Sequence, residues 1–135
     1  MADLAVDIAG IHFRNPVIVA SAPLTLSSKH IVKCIRGGAS GAVTKTVTYD
    51  PSQQVPPKPR MQVINPKDAL AGKYYSLYSI DLMSEHQPEA WASQIREARG
   101  ELGRDGVIIA SIAGRTFEEW RRLAALMEGS GADML

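Results

Sequence analysis

Residues 38–48 read GASGAVTKTVT. Within them Gly41-Ala42-Val43-Thr44-Lys45 is a short run without apolar–polar alternation, the pattern of a strand buried on both faces, and it carries a lysine at its carboxyl end. The same design occurs twice more. Val17-Ile18-Val19-Ala20 leads into Ser21-Ala22, and Val107-Ile108-Ile109-Ala110-Ser111 leads into Ile112-Ala113-Gly114. Helical patterns separate these strands. Ser27 or Ser28 can cap a helix containing Ile31, Val32, Cys34 and Ile35, which Gly37-Gly38 stops. Pro88 opens a second helix, with Trp91, Ile95 and Ala98 on one face and Gly103 after its end. Thr116, with Glu119 three residues on as a capping box, begins a third whose inner stripe is Trp120, Leu123, Ala124 and Met127. Ala132-Asp133-Met134-Leu135 starts a fourth strand. Such alternation predicts parallel strands joined by helical crossovers. A doubly wound open sheet and a (β/α)8 barrel both satisfy it. A barrel takes about 250 residues, so on that reading this chain is roughly half of one.

Outward from this frame, Leu4 to Ile8 and Ile11-His12-Phe13 read as a small hairpin turned by Gly10. From Tyr49 to about Tyr75 the chain, with Pro51, Pro56, Pro57, Pro59 and Pro66, reads as a long irregular loop of the functional or disordered kind. Tyr74, Tyr75 and Tyr78 read as strand residues rather than pocket lining. A 135-residue chain that is 45% apolar supplies one core, and residues 1–135 read as part of a single domain. The net charge of +1 and the scattered Lys and Arg exclude a nucleic-acid footprint. Arg121-Arg122 beside Glu118-Glu119 is a solvated helix face. Cys34, the single cysteine, makes no intrachain disulfide and reads as a small core residue of a cytoplasmic protein. No apolar run approaches the roughly 20 residues of a membrane span. His12, His30 and His86 lie in separate segments without metal-ligand spacing, so no metal is expected.

Ligands of parallel α/β folds bind at the carboxyl ends of the strands. Those ends carry Ser21, Thr46 and Ser111, whose hydroxyls both donate and accept, among small residues that let a flat or phosphate-bearing ligand approach the backbone. Lys45 has two readings. It is a cation that stabilises negative charge on cofactor or substrate, or it pairs at the rim with Asp50 or Asp81.

Taken in order, these segments resemble the flavin barrel of the dihydroorotate and dihydropyrimidine dehydrogenase family. The carriers are LAVDIAGIHFRNPVIVASAPLT (4–25), GASGAVTKTVT (38–48), KPRM (58–61), LYSIDLMSEH (77–86), VIIASIAG (107–114) and GSGADML (129–135). The resemblance spans the whole chain and implies a (β/α)8 TIM barrel, truncated here to roughly its first half, with an N-terminal β-hairpin. It implies an FMN-dependent oxidoreductase of pyrimidine metabolism acting on a C–C bond next to a carbonyl. Ala20, Ser21, Lys45, Thr46 and Ser111 would bind FMN. Lys45 would be catalytic and, with Ser79, would contact a dihydropyrimidine-like small molecule. An electron-transfer subunit and homo-oligomerisation are the implied partnerships, with neither nucleic acid nor membrane. Ser79 stands where the family has an asparagine. A single hydroxyl is shorter and cannot pair bidentately with a pyrimidine edge as an amide does. The resemblance puts the family's catalytic base and phosphate loops beyond Leu135. Two rival readings are a non-flavin barrel lyase or isomerase forming a Schiff base on Lys45, and a barrel relative without catalytic activity.

Overall fold

The computed structural model describes residues 3–55 and 57–135. Pro56, one of the loop prolines above, lies outside them, as do Met1 and Ala2. The expected hairpin forms from β1 (Val6–Ile8) and β2 (Ile11–Phe13), paired antiparallel with Asp7 opposite His12. The three apolar runs become β3 (Ile18–Val19), β4 (Gly41–Val43) and β8 (Val107–Ile109), side by side and parallel in the order β3-β4-β8. A parallel bridge from Ile109 to Met134 adds the start of the fourth strand on the free edge of β8. Adjacent strands thus follow chain order, as they do around a (β/α)8 barrel. Among the described residues they form an open arc without barrel closure.

Helices α1 (Ser28–Arg36), α3 (Pro88–Leu102) and α4 (Phe117–Glu128) cover the arc on one side. A short helix α2 (Pro66–Leu70) belongs to the connection after β4. The core joins Ile31 and Ile35 of α1, Trp91 and Ile95 of α3 and Leu123 and Met127 of α4 to Ala42 and Ile108 of the strands, each fully buried. Close approach requires glycine at two points. A Cβ on Gly41 would lie 3.1 Å from the Phe13 ring, so the hairpin packs tightly against the amino end of β4. One on Gly106, where φ is +74°, would lie 2.5 Å from Ile35 Cγ2. With the hairpin under the amino ends, the carboxyl ends open on the opposite side.

Charged side chains fasten the connections. Arg14 donates to the carbonyls of Ile35 and Ala39 near the end of α1 and to Asp105 Oδ1 at 2.8 Å. Arg99 pairs with Asp133, whose Oδ2 also accepts the Ile108 N–H at 2.7 Å, drawing the incoming chain onto β8.

Four expectations need correction. The stretch after Tyr49 is not wholly irregular. Strand β6 (Met61–Val63) pairs antiparallel with β7 (Leu77–Ser79), enclosing α2. Tyr78 lies in β7, whereas Tyr74 and Tyr75 precede it, and all three are exposed. In α4 the buried stripe is Leu123 and Met127, while Trp120 is 45% exposed. Thr116 does cap α4 through the Glu119 N–H, but the Glu119 carboxylate accepts from the Arg115 N–H one residue before the expected cap position.

Candidate active site at the strand carboxyl ends

The ladder between β4 and β8 breaks just beyond Val43 and Ile109. It resumes as a second parallel pair, β5 (Val47–Thr48) with β9 (Ile112–Ala113). The break spans Thr44–Thr46 opposite Ala110–Ser111. There the Thr44 hydroxyl replaces a backbone partner and accepts the Ser111 N–H at 3.0 Å. The Lys45 N–H turns away to the carbonyl of Thr25. An interrupted strand can aim side chains that an unbroken ladder would hold in strict alternation.

The interruption brings three of the expected residues together. Ser111 Oγ lies 2.8 Å from Thr46 Oγ1, which lies 3.4 Å from Ser21 Oγ, so hydroxyls from three strand ends form one half-buried row. Ala20, directly after β3, is exposed beside this row. A row of hydroxyls can donate and accept along the polar edge of a planar ligand, and exposed alanine backbone leaves its face unobstructed.

Lys45 occupies the adjoining cavity, about 180 Å³ in volume, among Pro23, Leu26, Leu82 and Met83. It is 7% exposed, and its Nζ donates to Asp81 Oδ2 at 2.7 Å. Asp81 is therefore the partner, while Asp50 pairs with Arg115. The other Asp81 oxygen, Oδ1, accepts from Arg60 Nη2 at 2.8 Å. The hydrogen bond from Lys45, with the charges of Lys45 and Arg60, holds the Asp81 carboxyl below its ordinary range. Ser79 does not share this cavity. It lines the neighbouring cleft with Met61 and Ile80, and Pro23, Arg60 and Asp81 form the wall common to both.

The segment carrying Asp81 is anchored from below. The Ser84 N–H donates to the Thr46 carbonyl at 2.8 Å, and Ser84 Oγ accepts the indole N–H of Trp91. Arg60 and Ser84 are among the members of this neighbourhood to which sequence reasoning assigned no role. The Pro-Arg of KPRM was the visible signal for Arg60; nothing local marks Ser84. Cys34 is half-buried against the core, with Sγ 3.6 Å from the Leu24 carbonyl, and His12, His30 and His86 are exposed. Among the described residues no cluster of His, Cys, Asp or Glu could hold a metal ion, and no helix is long and apolar enough to cross a membrane.

No family model matches the chain. Curated relatives do. The chain is 28% identical over 133 residues to the NAD-dependent dihydropyrimidine dehydrogenase subunit PreA of Escherichia coli, covering 98% of this chain and 31% of that protein. It is 32% identical over 126 residues to the catalytic subunit of dihydroorotate dehydrogenase B (NAD(+)) of Desulforudis audaxviator, covering 93% and 37%. Its identity to the Pyrococcus abyssi subunit of the same name is 33% over 121 residues, covering 90% and 36%. The chain thus spans about a third of the length of the curated relatives it matches. Among solved structures, DHODH from Eimeria tenella in complex with ferulenol superposes with a TM-score of 0.65 at 18% identity, over 89% of this chain and 32% of that one. That likeness establishes the fold as part of a (β/α)8 barrel, open here.

Proposed function

We propose that the chain is the N-terminal portion of a single FMN-binding (β/α)8-barrel domain, in an oxidoreductase acting on a C–C bond next to a carbonyl in a small cyclic amide. The observation that carries this reading is the hydroxyl row Ser21–Thr46–Ser111 beside the buried Lys45, at the strand ends where such barrels bind ligands. Similarity to the two named dehydrogenase groups supports it across nearly the full chain.

The residues suit a flavin. Three half-buried hydroxyls, exposed Ala20 and one ammonium match a planar heteroaromatic with a polar edge that gains negative charge on reduction. Ala20, Ser21, Thr46 and Ser111 would hold FMN, with Lys45 beside them. Bound FMN supplies hydride transfer to and from carbon. The protein's part is positioning and electrostatics. The hydroxyls fix the ring's register, and Lys45 is held at 7% exposure in the wall of the adjoining cavity. A fixed cation beside the ring stabilises charge that develops during reaction. Ser79, in the adjoining cleft, would contact substrate across the shared wall of Arg60 and Asp81. An electron-transfer subunit would accept or supply the reducing equivalents, in keeping with the names of relatives described as NAD-dependent and as subunits.

The ion pair with Asp81 disfavours the Schiff-base alternative, because a lysine nucleophile needs a free amine. The test is anaerobic mixing of the intact protein with a dihydropyrimidine. The expected result is bleaching of a bound flavin's visible bands, with no adduct on Lys45 after borohydride. A colourless protein with a borohydride-trapped adduct on Lys45 would replace this reading with the lyase or isomerase.

A further inference from the structure

Among the described residues β5 pairs with β9 alone. The Val47 N–H donates to the Ser111 carbonyl across that ladder. A trans peptide sets C=O and N–H on opposite sides, so the Thr46 carbonyl points away from β9, and that of Thr48, two residues on, does the same. Donors that lead back to the start of α3 meet both carbonyls there. The Thr46 carbonyl accepts the Ser84 N–H at 2.8 Å. Ser84 is 1% exposed, and its Oγ accepts the Trp91 indole N–H at 2.5 Å and the His86 N–H at 3.1 Å. The Thr48 carbonyl accepts from Gln54 Nε2 at 2.8 Å, and Gln54 Oε1 accepts from Nε2 of Gln87, the residue before α3, at 3.0 Å.

The first of these relays ends at the candidate site. Thr46 Oγ1 is the middle of the hydroxyl row, and Lys45 beside it is held by Asp81. Two consecutive residues of the strand break are thus tied to one four-residue segment, 81–84, at Lys45 through side chains and at Thr46 through the backbone. A serine hydroxyl that accepts the N–H two residues on closes a local turn and fixes the backbone direction there. The indole bond then fastens that turn to the fully buried ring of Trp91. We propose that Ser84 is a positioning residue. Its hydroxyl, held by Trp91, sets where segment 81–84 meets the strand break, and so where the Thr46 hydroxyl and the Lys45 ammonium stand against the flavin. This rests on the flavin reading given above. Ser84 acts through Thr46 and Asp81, not by contact with a ligand.

The test is the FMN affinity of the intact protein, freed of bound cofactor and followed by fluorescence quenching, with the melting temperature measured alongside. Ser84→Ala removes both accepted bonds and should weaken FMN binding about fivefold to tenfold, the equivalent of one hydrogen bond. The relay from Gln87 to Thr48 remains, as does the bond from the Met83 N–H to the Gln53 carbonyl, so the fold should survive. Trp91→Phe keeps an aromatic ring in the core and removes the indole donor alone. It should weaken FMN binding by about threefold, and it carries the test where Ser84→Ala does not fold. The double variant should bind FMN as Ser84→Ala does, because both changes break one connection. Ile95→Val, which trims the same helix inside the core, should lower the melting temperature and leave FMN affinity unchanged. Single effects that multiply in the double variant, or Ser84 and Trp91 variants that lose stability yet bind FMN as the wild type does, would overturn the proposal alone. A wild type that binds no FMN would overturn the flavin reading with it.

Discussion

Lys45→Ala in the intact protein is expected to slow flavin reduction by substrate about a hundredfold, equivalent to roughly 3 kcal/mol of lost charge stabilisation. The fold should survive. Asp81 keeps Arg60 as its partner, and its side chain is 45% exposed, so water can reach the oxygen that Lys45 leaves. Much of the FMN occupancy should also survive, because Ser21, Thr46 and Ser111 remain in place. The flavin midpoint potential should fall, since a cation that favours the reduced form is gone. Lys45→Arg should not restore the rate: the site leaves Lys45 only 7% exposed, and a planar guanidinium needs more room than an ammonium. A lysine that merely braced the loop would give the opposite pattern, a lower melting temperature with an unchanged rate per bound flavin. Stopped-flow reduction normalised to flavin content separates the two.

The second large effect concerns stability. Trp91 is fully buried, and its Nε1–H donates to Ser84 Oγ at 2.5 Å. Trp91→Ala should destabilise the protein by about 3–5 kcal/mol, from lost burial and the cavity left in the core cluster it shares with Ile31, Ile35 and Ile95. Trp91→Phe should cost less, about 1–2 kcal/mol, because burial is mostly kept and the buried Ser84 hydroxyl loses one of its two donors, retaining the His86 N–H. Chemical denaturation of the intact protein measures both. The loss should reach the site as well: Ser84 also anchors its segment to the Thr46 carbonyl, and Asp81 lies three residues earlier. Trp91→Ala costing under about 1 kcal/mol would show that the packing around this indole yields freely.

The parallel arc was legible because its strands carry uninterrupted apolar runs such as Val17–Ala20 and Val107–Ala110, the pattern of strands built for a parallel sheet, although the helices here cover one side only and Val17 is 57% exposed. The helices were legible in their caps and apolar stripes, and Trp120 shows where that signal misleads. A helical spacing records which residues share a face, not whether a neighbour covers the whole of it. The pair β5–β9 escaped notice because two-residue strands carry no period. The β6–β7 hairpin escaped because both its strands are largely exposed, so neither bears a buried stripe. At the site, residue types at strand ends were legible from position alone. Their partnerships were not. Lys45 and Asp81 lie 36 residues apart, and choosing Asp81 over Asp50 depends on how the chain returns from the hairpin. The hydroxyl row depends on the break in the ladder at Thr44–Thr46, which spacing does not encode.

The account stands most directly on the claim that this hydroxyl row holds the flavin. FMN titrated into the intact protein, after removal of bound cofactor, can be followed by the quenching of its fluorescence. Thr46→Val combined with Ser111→Ala removes two hydroxyls of the row and leaves the Ser21 hydroxyl without its neighbour. At about 1 kcal/mol for each lost hydrogen bond, the double variant should bind FMN roughly tenfold to a hundredfold more weakly than the wild type, with its melting temperature little changed. An FMN affinity equal to that of the wild type would contradict the placement of the flavin at these strand ends.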